Sequence, residues 1–211
     1  MSEIKIKFMP VGIMPTNCYI IHRQGMNEAI VIDPGAEADK INDYLTANGL
    51  TCKGILLTHG HFDHITGATG LVEATKAPVY AHEVEAALLN DPDLNASSMI
   101  RGRYSLVPDV LIKDQEILEL ASLAIKVIHT PGHTAGGVCY YLDEAKVLFS
   151  GDTLFHGDIG RSDLPTGNGQ RLVESIVNKL MVLDDEVVVY PGHEESTTIG
   201  YERDNNMYIR M

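Results

Sequence analysis

The sequence predicts a mixed α/β (α+β) fold in which sheets are sandwiched between helices, rather than a simple parallel sheet. Three observations lead there. Strand-like apolar runs and helical segments intermingle along the chain, and many connections are short hairpins. Five apolar runs, "IVIDPG", "ILLTHGHFDH", "VIHTPGH", "VLFSGDT" and "VVVYPGH", share one grammar: each ends in a glycine-containing turn bearing Asp or His. No linker, low-complexity tract or internal repeat interrupts the 211 residues, so residues 1–211 read as a single domain able to bury a substantial core.

From the N-terminus, "EIKIKFMP" alternates apolar and polar residues as a half-buried strand does. "NCYIIH" and "EAIVID" form a hairpin around Gly25-Met26-Asn27. "EADKINDYLTANGL" then places Ile41, Tyr44 and Leu45 at helical spacing and stops at Asn48-Gly49. "KGILLTHG" is a buried strand, followed by a helix over about 65–75, the strand "APVYAH" and a helix over about 83–90. The polar stretch from Asp91 to Pro108 reads as a long surface loop, and long ordered loops are more often functional than idle. Its Arg101, Arg103 and Tyr104 are candidates to touch a substrate. "EILELA" and "LAIKVIH" pair at a turn, and "GGVCYYLDEAKVLFSG" is a hairpin turning at Asp143-Glu144. Residues 169–182 form an amphipathic helix, and "EVVVYPG" is the last strand.

Hydrophobic residues make up 45% and charged residues 21%, and no apolar run approaches the roughly 20 residues that span a bilayer. "MSEIKIKFMP" lacks the apolar core of a secretory signal, so a cytoplasmic location is the default expectation. A net charge of −13 argues against nucleic acid or an anionic membrane as partner, because phosphate contacts need clustered Lys and Arg. A small-molecule substrate is expected instead. Bound cations would balance part of the acidity; the rest is a solvated face. Cys18, Cys52 and Cys139 are widely spaced, odd in number and flanked by apolar residues, which reads as reduced core thiols. The eight methionines follow no helical stripe and read as core filler.

The densest chemistry is "THGHFDH", residues 58–64. In an extended segment His59, His61 and Asp63 project to one side, with His64 offset. That geometry suits two adjacent metal ions better than one, and His133, Asp152 and His193, each at another strand end, would complete the set. Neutral imidazoles with carboxylates suit zinc, two ions per chain, with iron or manganese as alternatives; a structural thiolate site is not indicated. Two cations roughly 3.5–4 Å apart share a bridging water whose pKa falls toward about 7, giving hydroxide for attack on a carbonyl carbon. Asp152 is the natural bridging carboxylate. No GxSxG is present, and none is required.

An isolated histidine at a strand end is usually structural, and His22, His82, His129 and His156 read that way, with His156 also a candidate to line the pocket near Asp152. Four ligand-type side chains within residues 59–64 are different, since burying them without a cation is costly. Asp33 in "IDPG" is either a turn residue or an acceptor that orients a ligand from behind, not a direct ligand.

The set "THGHFDH", "HTPGHTAGG", "SGDTLF" and "PGH", in this order and spacing, resembles the metallo-β-lactamase superfamily over nearly the whole chain. "GDTLFHGDIGRSDLPTGN" and "TTIGYERDNN" look like its compact glyoxalase-II-like members, hydrolases of hydroxyacyl-glutathione thioesters. The resemblance implies a four-layer αββα sandwich with the site at one edge between the sheets. It also implies one metal on His59, His61 and His133, a second on Asp63, His64 and His193, and Asp152 bridging them. Asp63 and Asp152 are thereby the candidate catalytic carboxylates. Arg161, in "IGR", falls where the family offers a basic residue to the glutathione portion of its substrate. The chain departs from the pattern in two places: it stops at Met211, without the C-terminal helical domain of full-length glyoxalase II, and it follows "PGH" with Glu194-Glu195 rather than Gly-Pro. Asp152 stands where true β-lactamases have a cysteine ligand, which argues against antibiotic hydrolysis.

Three functions compete. A binuclear hydrolase of thioesters is ranked first, with a lactone or ester hydrolase as a near neighbour using the same chemistry. An iron persulfide dioxygenase using His59, His133 and Asp152 is second. A non-catalytic, metal-stabilised module is third, because structural sites are usually closed and rich in thiolate.

Overall fold

The alternating N-terminal run becomes strand β1 (Ile4–Val11), paired antiparallel with β2 (Thr16–Arg23). The hairpin at Gly25 leads into β3 (Glu28–Ile32), whose register sets Ile21 opposite Ile30. Helix α1 (Ala38–Ala47) crosses over to β4 (Thr51–Leu56), and short helices α2 (Phe62–Ile65) and α3 (Ala68–Thr75) cross to β5 (Val79–His82). After a 3-10 turn (Glu83–Glu85) and α4 (Ala86–Asn90), β6 (Val110–Ile112) closes a six-stranded sheet in the order β1-β2-β3-β4-β5-β6. Hairpins make the first pairs antiparallel, while helical crossovers make β3 to β6 parallel. This computed structural model describes residues 2–100 and 102–210.

The second sheet is built from β7 (Ile117–Leu120), β8 (Leu123–His129), β9 (Val138–Leu142) and β10 (Val147–Gly151), a meander of antiparallel pairs. A small hairpin of β11 (Leu154–Phe155) and β12 (Asp158–Ile159) follows. Helix α5 (Gly169–Ser175) runs into a π-helical turn (Ile176–Leu180), and β13 (Val188–Pro191) then joins β10 in parallel. Strand β14 (Thr197–Thr198) and helix α6 (Ile199–Asn205) complete the order β14-β13-β10-β9-β8-β7.

Period-2 alternation assigns the layers. Tyr19, Ile21, Ile30 and Leu56 of the first sheet meet Ile125, Val127, Tyr140 and Phe149 of the second, forming the core between sheets. Their neighbours Ile20, Val31 and Ile55 point the other way, onto Ile41, Leu45 and Leu71 of the helices. On the far side Cys139, Leu148 and Val189 pack against Leu172, Ile176, Leu180 and Ile199. The layers are therefore α, β, β, α. Each large buried side chain contributes on the order of 1.5–3 kcal/mol.

The topology also gathers strand ends. β8 and β10 are each antiparallel to β9 and so run the same way, and β13 is parallel to β10; their C-terminal ends share one edge with those of β3 and β4.

Several local expectations need correction. The helix over 65–75 is two, broken where Gly67 N–H turns to donate to Pro34 O. Residues 59–64 are not one extended segment, because α2 begins at Phe62 and takes Asp63 and His64 into its first turn. The stretch Asp91 to Pro108 is not wholly on the surface: Asn95 and Ser97 are buried, and the Asn95 side chain donates to Leu89 O and Tyr104 O. No methionine among the described residues is fully buried: Met9 and Met181 pack half-buried against the cores, whereas Met14 and Met99 lie exposed, so core filler describes only part of the set. Strand β6, the β11–β12 hairpin, β14 and α6 were not foreseen. The cysteines are free and buried, as expected. No helix among the described residues is long and apolar enough to cross a membrane.

Candidate metal centre

Every strand that ends at the shared edge delivers one turn to it: β3 gives Asp33, β4 gives Thr58 to His64, β8 gives His133, β10 gives Asp152 and β13 gives His193. Three imidazoles meet first. His133 Nε2 lies 2.9 Å from His61 Nδ1 and 3.2 Å from His59 Nε2. The second group is Asp63, His64 and His193, with His193 Nε2 3.1 Å from Asp63 Oδ2 and 3.4 Å from His64 Nε2. Asp152 faces both: Oδ1 is 3.3 Å from His64 Nε2, and Oδ2 is 3.6 Å from His133 Nε2 and 3.7 Å from His193 Nε2. All seven predicted side chains are thus brought together. The extended-segment reasoning that grouped His59, His61 and Asp63 on one side was wrong in its path, because Asp63 arrives through the helical turn beside His64.

What lies behind these rings fixes which nitrogen faces inward. Asp33, held at φ 48°, accepts from Thr58 N–H (2.8 Å), from Thr58 Oγ1 (2.6 Å) and from His64 Nδ1 (2.9 Å). Since the Thr58 hydroxyl donates to Asp33, it accepts from His59 Nδ1 at 3.1 Å. His133 Nδ1 donates to Arg161 O at 2.7 Å. With their rear nitrogens protonated, His59 and His133 present bare Nε2 lone pairs to the centre, while His64 turns its Nε2 toward Asp152. Asp33 lies near His59 and His64, yet it faces their rear nitrogens and so orients ligands rather than joining them, as the sequence suggested. Thr58 and the carbonyl of Arg161 were missed; a threonine before a histidine and a main-chain oxygen leave no signal in a sequence.

The donor set fits divalent cations. Nitrogens bound tetrahedrally to zinc at about 2.0–2.1 Å stand about 3.3 Å apart, close to the spacing of the three imidazoles. Without a cation, the bare Nε2 atoms of His59 and His133, 3.2 Å apart, repel one another. Asp152 Oδ1 is buried without a hydrogen-bond partner in this structure. Burial, then the neighbouring imidazoles, pushes His59 well down, and burial followed by His133 lowers His61 to about 3. Burial lowers His133 too, against the pull of Asp152. At His64 burial is outweighed by Asp152, Asp63 and Asp33, and at His193 by Asp63 and Asp152, so both are raised. Burial raises Asp152 and Asp63, but their histidine neighbours win and hold both carboxyls low. Gly192 is required by close approach, since a Cβ there would stand 2.2 Å from Asp152 Oδ1.

A cavity of about 610 Å³ opens onto this centre. Its apolar wall is Met14, Phe62, Met99, Ile100, Phe155 and Leu164, with Arg161 and Glu194 also lining it. The loop from Asp91 reaches the site through Met99 and Ile100, and Asn95 O fixes it to Phe62 N–H at 3.0 Å. Arg103 instead pairs with Asp93, and Tyr104 packs within the loop through its carbonyl; Arg101 lies outside the described residues. The Arg161 guanidinium is exposed and paired with Asp163 at 2.8 and 2.9 Å. His22, His82 and His129 bond to nearby main chain, and His156 pairs with Glu195 at 2.7 Å, so none of these four joins the centre.

Comparison with known proteins agrees with this picture. A family model described as the metallo-beta-lactamase superfamily matches residues 11–193. The hydroxyacylglutathione hydrolase GloC of Haemophilus influenzae is 34% identical over 209 residues, covering 98% of both chains. A solved structure described as BLEG-1 B3 metallo-beta-lactamase has a TM-score of 0.92 and 38% identity, covering 97% of this chain and 99% of that one. TTHA1623 in a di-iron-bound form has a TM-score of 0.85 and 33% identity, covering 96% and 99%. Sheets, layers and sequence thus point the same way, and the chain belongs to the metallo-β-lactamase superfamily.

Proposed function

We propose that the protein is a binuclear metal-dependent hydrolase of the glyoxalase-II type, cleaving a thioester of the hydroxyacyl-glutathione class. The observation that supports this most is the convergence of seven ligand-type side chains in two groups that share Asp152. His59, His61 and His133 would hold one divalent ion, zinc or else iron or manganese, and Asp63, His64 and His193 the other, with Asp152 between them. Such ions supply Lewis acidity and make water acidic near neutral pH. The chain's own groups do the rest. Asp63 and Asp152, both held ionised, are the two carboxylates on the cavity floor able to take a proton from an attacking water. A departing thiolate, with a thiol pKa of about 8.5, leaves without a strong general acid. Met14, Phe62 and Phe155 exclude bulk water from the reacting carbonyl. Arg161 can exchange Asp163 for a substrate carboxylate at little cost, because an exposed pair is worth about 0–1 kcal/mol.

A neighbour described as a B3 metallo-β-lactamase puts a β-lactam in the substrate panel. The test is metal analysis of the purified chain followed by S-lactoylglutathione, a lactone, a β-lactam and glutathione persulfide. Two divalent ions per chain, with thioester hydrolysis lost on chelation and restored by metal, are expected. Hydrolysis that survives complete stripping overturns the proposal, and one iron per chain with oxygen uptake on persulfide replaces it with the dioxygenase.

A further inference from the structure

The three-imidazole group draws its members from two turns on two different sheets. Gly60 sits between His59 and His61 after β4, and Gly136 lies three residues beyond His133 before β9. One side chain holds both. The Gly60 N–H donates to Glu85 Oε1 at 2.9 Å, and the Gly136 N–H donates to Glu85 Oε2 at 2.8 Å. Glu85 is 1% exposed, and no Lys or Arg pairs with it among the described residues. A buried carboxylate without a counter-ion is costly, and it persists only where its hydrogen bonds are well made. Burial pushes its proton affinity up, and the Thr134 hydroxyl followed by the two glycine N–H groups works against that.

The grip has no slack. A Cβ at Gly136 would lie 2.4 Å from Glu85 N and 2.6 Å from Oε2, and one at Gly60 would lie 2.7 Å from the Leu88 side chain and 2.9 Å from that of Leu89. Both turns are therefore pressed against the helical segment that Glu85 opens. Elsewhere the turns are joined by Val138 N–H to Thr58 O at 2.8 Å, behind the histidines, whereas Glu85 acts at the ligand turns themselves.

We propose that Glu85 is a positioning residue for the His59, His61 and His133 half of the centre: a single carboxylate gripping both glycine amides sets the spacing of the first two imidazoles against the third. This rests on the metal reading given above. In Glu85→Gln one glycine amide keeps its acceptor while the other meets the Gln NH2, donor against donor.

The experiment is titration of metal-stripped protein with zinc against a competing chelator, with the melting temperature of the metal-free protein followed alongside. Two backgrounds assign the halves: His193→Ala weakens the second, and His61→Ala the first. Glu85→Gln is expected to weaken zinc binding about 10–100-fold in the His193→Ala background and less than about 3-fold in His61→Ala. Glu85→Asp, one methylene short of spanning both amides, should not rescue it. If Glu85→Gln lowers the melting temperature but leaves zinc affinity unchanged, or weakens both halves equally, Glu85 is only structural and the inference is overturned. A wild-type chain that takes up no divalent ion instead overturns the metal reading, and this role with it. Should Glu85→Ala fail to fold, the Gln and Asp variants still decide.

Discussion

The two halves of the centre are built from the same kind of side chain and behave in opposite ways. In the half made of His59, His61 and His133 every imidazole has a lowered proton affinity, because burial and mutual repulsion dominate. In the other half, His64 is raised by Asp152, Asp63 and Asp33, and His193 by Asp63 and Asp152. The first half waits for a cation as neutral lone pairs, whereas the second stands in for one with its own protons. Carboxylate placement, not histidine count, makes the difference, and Asp152 is the seam between the two.

The change that breaks the comparison most completely is Asp152→Ala, which removes the shared carboxylate. Zinc stoichiometry should fall in both halves and kcat/KM by on the order of 10³-fold, read by metal analysis and initial rates. Removing one half at a time comes next. His61→Ala and His193→Ala should each leave about one ion per chain, and equal loss of both ions from either variant would show that the halves are not separable. Third is Asp33→Asn, which takes the acceptor from behind His64 and Thr58. It should weaken zinc binding about 10–100-fold without touching a ligand.

A smaller, sharper contrast is proton release. In metal-free protein the raised His64 and His193 contribute stability that is complete below the unfolded imidazole value near 6.5 and fades as pH rises through their folded values. The lowered imidazoles act the other way. As pH falls below about 6.5 the unfolded chain gains protons that folded His61 refuses down to about 3, so stability drops. Zinc uptake near pH 7 should therefore release protons in His61→Ala, where the second half remains, and almost none in His193→Ala, as followed with an indicator dye. The smallest effect is expected at Arg161→Ala, where loss of an exposed pair should leave the melting temperature almost unchanged and raise KM more than it lowers kcat.

Much of this was legible beforehand because it is local. A strand ending in glycine with His or Asp is a pattern within ten residues, and four of the five such patterns named all seven members of the centre, the fifth naming Asp33 behind it. The long hairpins and α1 followed from period and turn residues. The short elements were not legible: β6, β11, β12 and β14 run two or three residues each, too few to show a period, and they exist because neighbouring strands offer hydrogen bonds. The exposed methionines around the cavity mouth were misread because composition carries no direction.

By itself the sequence determined which residues are ligand-type, which runs are strands and that five turns carry chemistry, since each depends on spacing along one segment. Only the tertiary structure decided which imidazole nitrogen faces inward, that Asp33 holds His64 and Thr58 from behind, and that Glu85 ties together turns from two sheets. Those depend on contacts between residues such as Glu85 and Gly136, 51 positions apart. No local pattern encodes such contacts; they are set by how the two sheets pack.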